Sequence, residues 1–243
     1  MKRSRIRTVL RWTAGALGAA AAGYAAYVAT AWARYGDPSP PNAEAADPLL
    51  DRFMPRYEIA ERHHIDVDAP AEITFAAARD ADLTGSWVAR AIFRTRELVL
   101  GAEPDRRTGP RGVVALTTSI GWGMLAEVPG RELVMGAVTQ PWKANVVFRA
   151  LPPHEYAAFN DPDYVKIVWT LRADPVDAAH SIFRTETRAI ATDGNARRKF
   201  RRYWSLLSPG IIVIRWMALG PLKADAERRA REHSRETKRS TSE

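Results

Sequence analysis

Between Trp12 and Trp32 the chain runs for 21 residues without a charge, and no polar face recurs along the run. At about 1.5 Å rise per helical residue, the two tryptophans would lie roughly 30 Å apart. That matches the hydrocarbon core of a bilayer, about 30 Å thick. Indole rings favour the membrane–water interface, so Trp12 at one end and Trp32 with Tyr35 at the other read as anchors. Lys2, Arg3, Arg5, Arg7 and Arg11 precede the run. The pattern predicts an uncleaved single-pass anchor over 12–33, with the basic flank 1–11 cytoplasmic and the rest of the chain extracytoplasmic. The interior is mostly Ala and Gly, which insert weakly. A signal peptide cleaved after Ala29-Thr30-Ala31 or Ala31-Trp32-Ala33 would leave a secreted protein, although the apolar stretch is long for one. A soluble Ala-rich helix is the third reading. Gly15, Ala19 and Gly23 have the four-residue spacing of helix-pairing faces.

Beyond the run the pattern changes twice. Residues 34–48 hold Pro38, Pro40, Pro41 and Pro48, which predicts an extended, semi-rigid linker. From 49 to 233 short apolar and polar stretches alternate with turn signals, as in one domain with a substantial core. A disordered polar tail is expected over 234–243.

Within that domain, Tyr57 to Val67 alternates with period two: Ile59, Glu61, His63, Ile65 and Val67 share one face, a strand signature. Asp68-Ala69-Pro70 opens a short helix carrying Ile73, Phe75 and Ala77. A second helix is expected from Ser86 to Leu100, then a loop from Glu103 to Gly112. Gly121–Val128 and Glu132–Gln140 read as a hairpin around Pro129-Gly130-Arg131. Further strands are expected at Asn145–Leu151, Tyr164–Ala173 and Ser181–Thr192, with a helical turn at His154–Phe159. Asp193 then opens a long amphipathic helix from Ala196 to about His233. Its stripe of Phe200, Tyr203, Trp204, Leu207, Ile211, Ile214 and Ala218 faces inward. Pro209 should kink that helix or split it.

Composition removes several kinds of chemistry. With no cysteine, disulfides, thiolate zinc sites and cysteine nucleophiles are excluded. The net charge of +8 sits at the two ends: residues 1–11 carry five basic groups, and 197–243 carry 13 Lys and Arg against 5 Asp and Glu. Such a split does not suit a nucleic-acid face. The second cluster, Arg197, Arg198, Lys199, Arg201 and Arg202, is either a solvated face or a contact for anionic lipid headgroups.

The order of one strand, two short helices, a run of antiparallel strands and a long C-terminal helix resembles the helix-grip fold of the SRPBCC superfamily. That superfamily includes START-related lipid-transfer domains, pollen allergens and polyketide cyclases. Local phrases are similar to a bacterial, membrane-anchored branch of unknown function: Ile65-Asp66-Val67-Asp68-Ala69-Pro70-Ala71-Glu72, Leu125-Ala126-Glu127-Val128-Pro129-Gly130-Arg131-Glu132-Leu133-Val134, and Thr185-Glu186-Thr187-Arg188. The resemblance spans about Phe53 to Arg231. It implies an α+β fold in which a curved antiparallel sheet wraps the C-terminal helix around an apolar cavity. The expected anchor and proline linker depart from most soluble members.

Candidate cavity residues are Trp122, Met124, Met135, Phe148, Trp169, Phe183, Trp204, Ile211 and Met217, each of which could equally be core filling. His63 and His64 are neighbours on a strand and point to opposite faces, so they do not pair on a metal. No Gly-rich phosphate loop, nucleophile elbow or carboxylate pair at helical spacing appears, so no catalytic residue, metal or cofactor is nominated. Arg215 interrupts the apolar run Ile211–Leu219. It points outward, or enters the cavity to meet a ligand headgroup or Glu186. The expected function is a membrane-anchored, non-catalytic protein holding an apolar small-molecule ligand, in the first place a lipid, with membrane lipids as partners and no nucleic acid. A polyketide cyclase- or dehydratase-like enzyme and an interaction module with a filled pocket are the alternatives. Fold alone does not decide among them.

Overall fold

The computed structural model describes residues 2–81, 101 and 112–240. The helix expected over 86–100 and the loop over 103–111 lie outside the described residues. The first element is helix α1, Lys2–Arg34. Among the described residues, however, the helix long and apolar enough to cross a membrane is the C-terminal one, not α1. Two features separate α1 from the expected N-terminal transmembrane helix. Its uncharged run is diluted by Gly, Thr and Tyr, and its polar groups are tied to the rest of the protein. Tyr24 donates to the Leu206 carbonyl at 2.6 Å, and the Tyr27 hydroxyl lies 3.0 Å from Ser208 Oγ.

The linker is not a free spacer either. Arg62 donates to Ser39 O and Arg172 to Ala46 O, fastening it to the sheet. It contains a 3-10 turn at Ala43–Ala45 and ends in the short helix α2, Pro48–Asp51, capped by Asp47 Oδ1 on the Leu50 amide at 2.8 Å.

Strand β1, Ile59–Val67, is followed by helices α3, Ala71–Asp80, and α4, Val113–Ser119; sequence reading missed α4. Then come β2, Gly123–Val128, and β3, Glu132–Thr139, joined by a tight turn in which Gly130 takes φ +71°, a value glycine adopts without strain. The strand expected over Asn145–Leu151 reduces to the two residues of β4, Phe148–Arg149. Helix α5, Pro153–Tyr156, precedes β5, Val165–Pro175, and β6, Ser181–Ala191. These strands form one antiparallel sheet in the order β1-β6-β5-β3-β2, with β4 beside β3.

The last element, α6, runs unbroken from Gly194 to Ser240, with Pro209 and Pro221 inside it, so the expected split does not occur. Packing on both sides of Pro209 anchors the helix to the sheet. Trp204 is buried before it with Phe200 against Ile59, Val165 and Ala189, and Leu219 and Leu222 are buried after it against Val67, Phe75 and Phe183. Asp193 caps the helix, as its position suggests, accepting from the Ala196 amide at 2.7 Å. The fold is thus α+β, a curved antiparallel sheet closed against a long C-terminal helix.

The sheet is covered on both faces. The concave face meets α3, α4 and α6. The convex face buries Val134, Val138 and Val168 under Leu50, Phe53 and Met54 of the segment after the linker and under Tyr156. Arg188, almost without solvent exposure, holds that segment in place: it donates to Glu186 at 2.7 Å, to the Met54 carbonyl at 2.9 Å and to Asp51, and lies over the Tyr57 ring.

Candidate functional site

Period two along β1 delivers two kinds of side chain to the concave face. Ile59 joins the cluster around Phe200 and Trp204, and Ile65 and Val67 join the cluster around Leu219 and Leu222. Between them stand Glu61 and His63. In register across the sheet, Glu61 faces Thr187, and His63 faces Thr185. Thr187 in turn faces Trp169, and Trp169 faces Met135. One row therefore passes from a carboxylate through a hydroxyl to an indole and a thioether, all on the side that α6 covers.

Arg215 of α6 completes this seam. It turns toward the sheet, not outward, and its charge acts on Glu61 and His63. It does not meet Glu186, which lies on the convex face between Arg62, at 2.8 Å, and Arg188, at 2.7 Å. Burial lowers the Arg215 pKa to about 10, against the opposing attraction of Glu61. Burial likewise raises the Glu61 carboxyl, with Arg215 and Arg62 opposing it, and lowers the His63 imidazole, helped by the charges of Arg215 and His64. No ion pair joins Arg215 to Glu61 among the described residues. Three buried atoms of the seam have no hydrogen-bond partner: His63 Nε2, Thr187 Oγ1 and Arg215 Nη1. Native interiors pair about nine in ten of such groups or more, so three orphans in one seam call for an explanation.

The apolar candidates divide around this seam. Trp122, Met135, Trp169 and Phe183 are buried in one cluster, with Phe148 packed against it, and the Trp122 ring lies tilted against Phe148 and edge-on to Trp169, with centroids 5.1 and 6.3 Å apart. Trp204 and Ile211 belong to the other cluster, so Trp204 packs on Phe200 and Val165 and not on Trp169. Met124 and Met217 lie outside the core at 37% and 38% exposure. Met124 is on the edge strand β2, and Met217 turns away with Trp216 from the side of α6 that Arg215 occupies.

The basic run at the start of α6 is largely engaged within the molecule. Arg197 pairs with Glu58 at 2.9 Å, Lys199 with Asp163 at 2.7 Å, and Arg201 donates to the Trp32 carbonyl at 2.7 Å while lying over the Trp32 ring. Arg201 thus neutralises the negative end of the α1 dipole. Arg198 and Arg202 remain exposed.

On the convex face a cleft of about 40 Å³ is lined by Asp47, Arg62, His64, Arg172, Arg184 and Glu186, among others. It has room for a water or two and none for a lipid. No group of three or more His, Asp or Glu that could hold a metal occurs among the described residues. Arg215 interrupts the apolar run Ile211–Leu219, and that charge is the local signal for the seam; Thr187 carries none.

No protein-family model matches the chain, and no curated protein sequence does. Solved structures with a similar chain path include a hypothetical protein from Helicobacter pylori, 7% identical, covering 77% of this chain and 99% of its own, with a TM-score of 0.38. A protein from Arthrobacter aurescens is 9% identical over 75% of this chain and 90% of its own, with a TM-score of 0.34. A norcoclaurine synthase from Thalictrum, solved as a point mutant with a transition-state analogue, is 9% identical over 68% of this chain and 94% of its own, with a TM-score of 0.32.

Proposed function

We propose that this protein is a helix-grip member of the SRPBCC superfamily that holds an apolar ligand, in the first place a lipid, between the concave sheet face and α6, without transforming it. The observation that carries this reading is the seam itself. His63 Nε2, Thr187 Oγ1 and Arg215 Nη1 are buried without partners beside Trp169 and Met135. An unpaired buried polar group costs about 1–3 kcal/mol, and a charged one more. A binding protein recovers that cost when its ligand arrives; a protein that merely filled its pocket would not.

The same reading sets the protein at a membrane. Trp12, Leu17 and Trp32 of α1 and Val213, Trp216 and Met217 of α6 are exposed large apolar residues on helices that pack together. Monomers in water rarely expose contiguous apolar patches of more than a few hundred Å². Arg198 and Arg202 would meet anionic headgroups.

Native mass spectrometry of the full chain, released from mild detergent, tests the carrier reading. A co-purified apolar molecule, chemically unchanged, is expected. A chain that emerges empty and takes up no added lipid overturns it. One observation favours a second reading, an enzyme of the cyclase or dehydratase kind: burial lowers the His63 pKa and leaves Nε2 without a partner, as a general base requires. Recovery of a ligand altered relative to the added one, and lost in His63→Ala, would decide for the enzyme.

A further inference from the structure

We propose that the Arg215 seam is the subsite for a single-headed oxyanion, carboxylate or phosphate, borne on the end of an apolar chain that extends across the sheet toward Trp169 and Met135. This inference rests on the carrier reading above and names the class of ligand.

Three observations converge on it. First, the seam holds a cation without a hydrogen-bonded counter-ion. Arg215 Nη1 is buried and unpartnered, and Glu61 acts on it only through space. A guanidinium presents donors in a fixed fork that suits carboxylate and phosphate oxygens. Second, the neighbouring orphans can donate as well. The Thr187 hydroxyl carries a proton it gives to no one, and His63 Nε2 donates in one tautomer. An oxyanion set among them would accept from up to three elements, β1, β6 and α6, and satisfy all three at once. Third, the surroundings grade in one direction. From Thr187 the row passes away from Glu61 to Trp169 and then Met135, over about 10 Å at the usual strand spacing, and neither of these carries a charge. A polar head at one end and an apolar floor leading away is the shape of an amphiphile.

The convex basic cleft also holds one buried nitrogen without a partner, Arg62 Nε, but its cations are otherwise engaged. Arg62, Arg172 and Arg184 there already have carboxylate partners in Glu186 and Asp174. Charge alone would have pointed to that cleft; the pairing of its charges points away from it.

The test uses the full chain in a non-ionic detergent and four probes: dodecanoate, dodecyl phosphate, dodecanol and acetate, with binding followed by calorimetry. Dodecanoate or dodecyl phosphate should bind at least tenfold more tightly than dodecanol, and acetate should not compete. Whichever of the two anions binds more tightly identifies the headgroup. In Arg215→Met the anionic probes should lose at least tenfold while dodecanol is unchanged. Thr187→Val, an isosteric change that leaves the charge in place, should cost the anions about threefold to tenfold. If dodecanol binds as well as the anions, or neither variant alters their affinity, the headgroup subsite is overturned and the carrier reading stands. If acetate competes fully, the site takes small anions and the amphiphile is overturned. If no probe binds, both readings fall.

Discussion

Glu61 lies directly across the β1–β6 ladder from Thr187, and both turn toward the helix that carries Arg215. This pair divides an otherwise apolar interface. On one side Phe200 and Trp204 pack on Ile59 and Val165; on the other Leu219 and Leu222 pack on Val67 and Phe183. A helix that only needed to close the sheet would carry an apolar residue at 215. The seam therefore lowers stability in return for polarity in a buried place, a common sign that a site serves binding.

Replacing Arg215 with Met should for that reason stabilise the ligand-free protein. Exchanging a buried charge for an apolar side chain of similar length is often neutral or worth a few kcal/mol. The expected gain is on the order of 1 kcal/mol in urea unfolding. It should be larger at pH 5 than at pH 8, because Glu61, deprived of Arg215, must then be buried with a proton. Equal or lower stability at both pH values would mean that Arg215 has a partner in the folded state.

A second prediction concerns pH. Burial, with Asp47 nearby as hydrogen-bond partner and like charge, raises the Glu132 pKa from 4.5 to about 8, against the pull of Arg172. The folded state thus holds this proton more tightly than the unfolded chain does. Its contribution to stability is complete below about pH 4.5, falls as pH rises toward 8, and is flat above. Glu132→Gln should flatten the profile between pH 5 and 8 in denaturant titrations. An unchanged slope in the variant would assign the pH dependence elsewhere.

Trp204→Ala should cost roughly 3–5 kcal/mol, the usual range for removing a buried aromatic. Trp204 is 7% exposed and packs on Phe200, with ring centroids 6.2 Å apart. Trp169 belongs to the other cluster, so the effects of Trp204→Ala and Trp169→Ala should add to within about 0.5 kcal/mol. A coupling well above that would mean that the seam does not separate the two clusters.

How far the sequence led depends on the length scale of each signal. Period-two and period-3.6 patterns are local, and they placed β1, the β2–β3 hairpin, β5, β6 and the start of the long helix within a few residues of where they lie; that helix runs on to Ser240, through most of the tail expected to be disordered. Val113–Ser119 was missed because its Thr-rich sequence favours no helical stripe, and the strand over 145–151 shrank because only Phe148 and Arg149 reach β3. The site was legible in part. Arg215 stood out as a charge in an apolar run, but its direction depends on what faces it, and Glu61 and Thr187 are 154 and 28 residues away in the chain. The uncharged run at 12–32 looked complete in itself. Its partners Arg201, Leu206 and Ser208 come from the far end of the chain, and no local pattern announces such a pairing.

That pairing alters what the basic cluster should do at a membrane. Arg197, Lys199 and Arg201 are held by Glu58, Asp163 and the Trp32 carbonyl, which leaves Arg198 and Arg202 to meet headgroups. Each exposed basic residue near an anionic surface is worth about 1 kcal/mol, screened over a Debye length of about 8 Å at physiological salt. The double variant Arg198→Gln/Arg202→Gln should therefore bind vesicles containing anionic lipid about thirtyfold less tightly at low salt, with little change on neutral vesicles. Arg201→Gln should act differently. It removes a cation from the C-terminal end of α1 and should loosen that helix, seen as faster amide exchange around Trp32, without altering the preference for anionic lipid. If the double variant binds both vesicle types as the native chain does, Arg198 and Arg202 are simply solvated, and any membrane attachment rests on Trp12, Leu17 and Trp216.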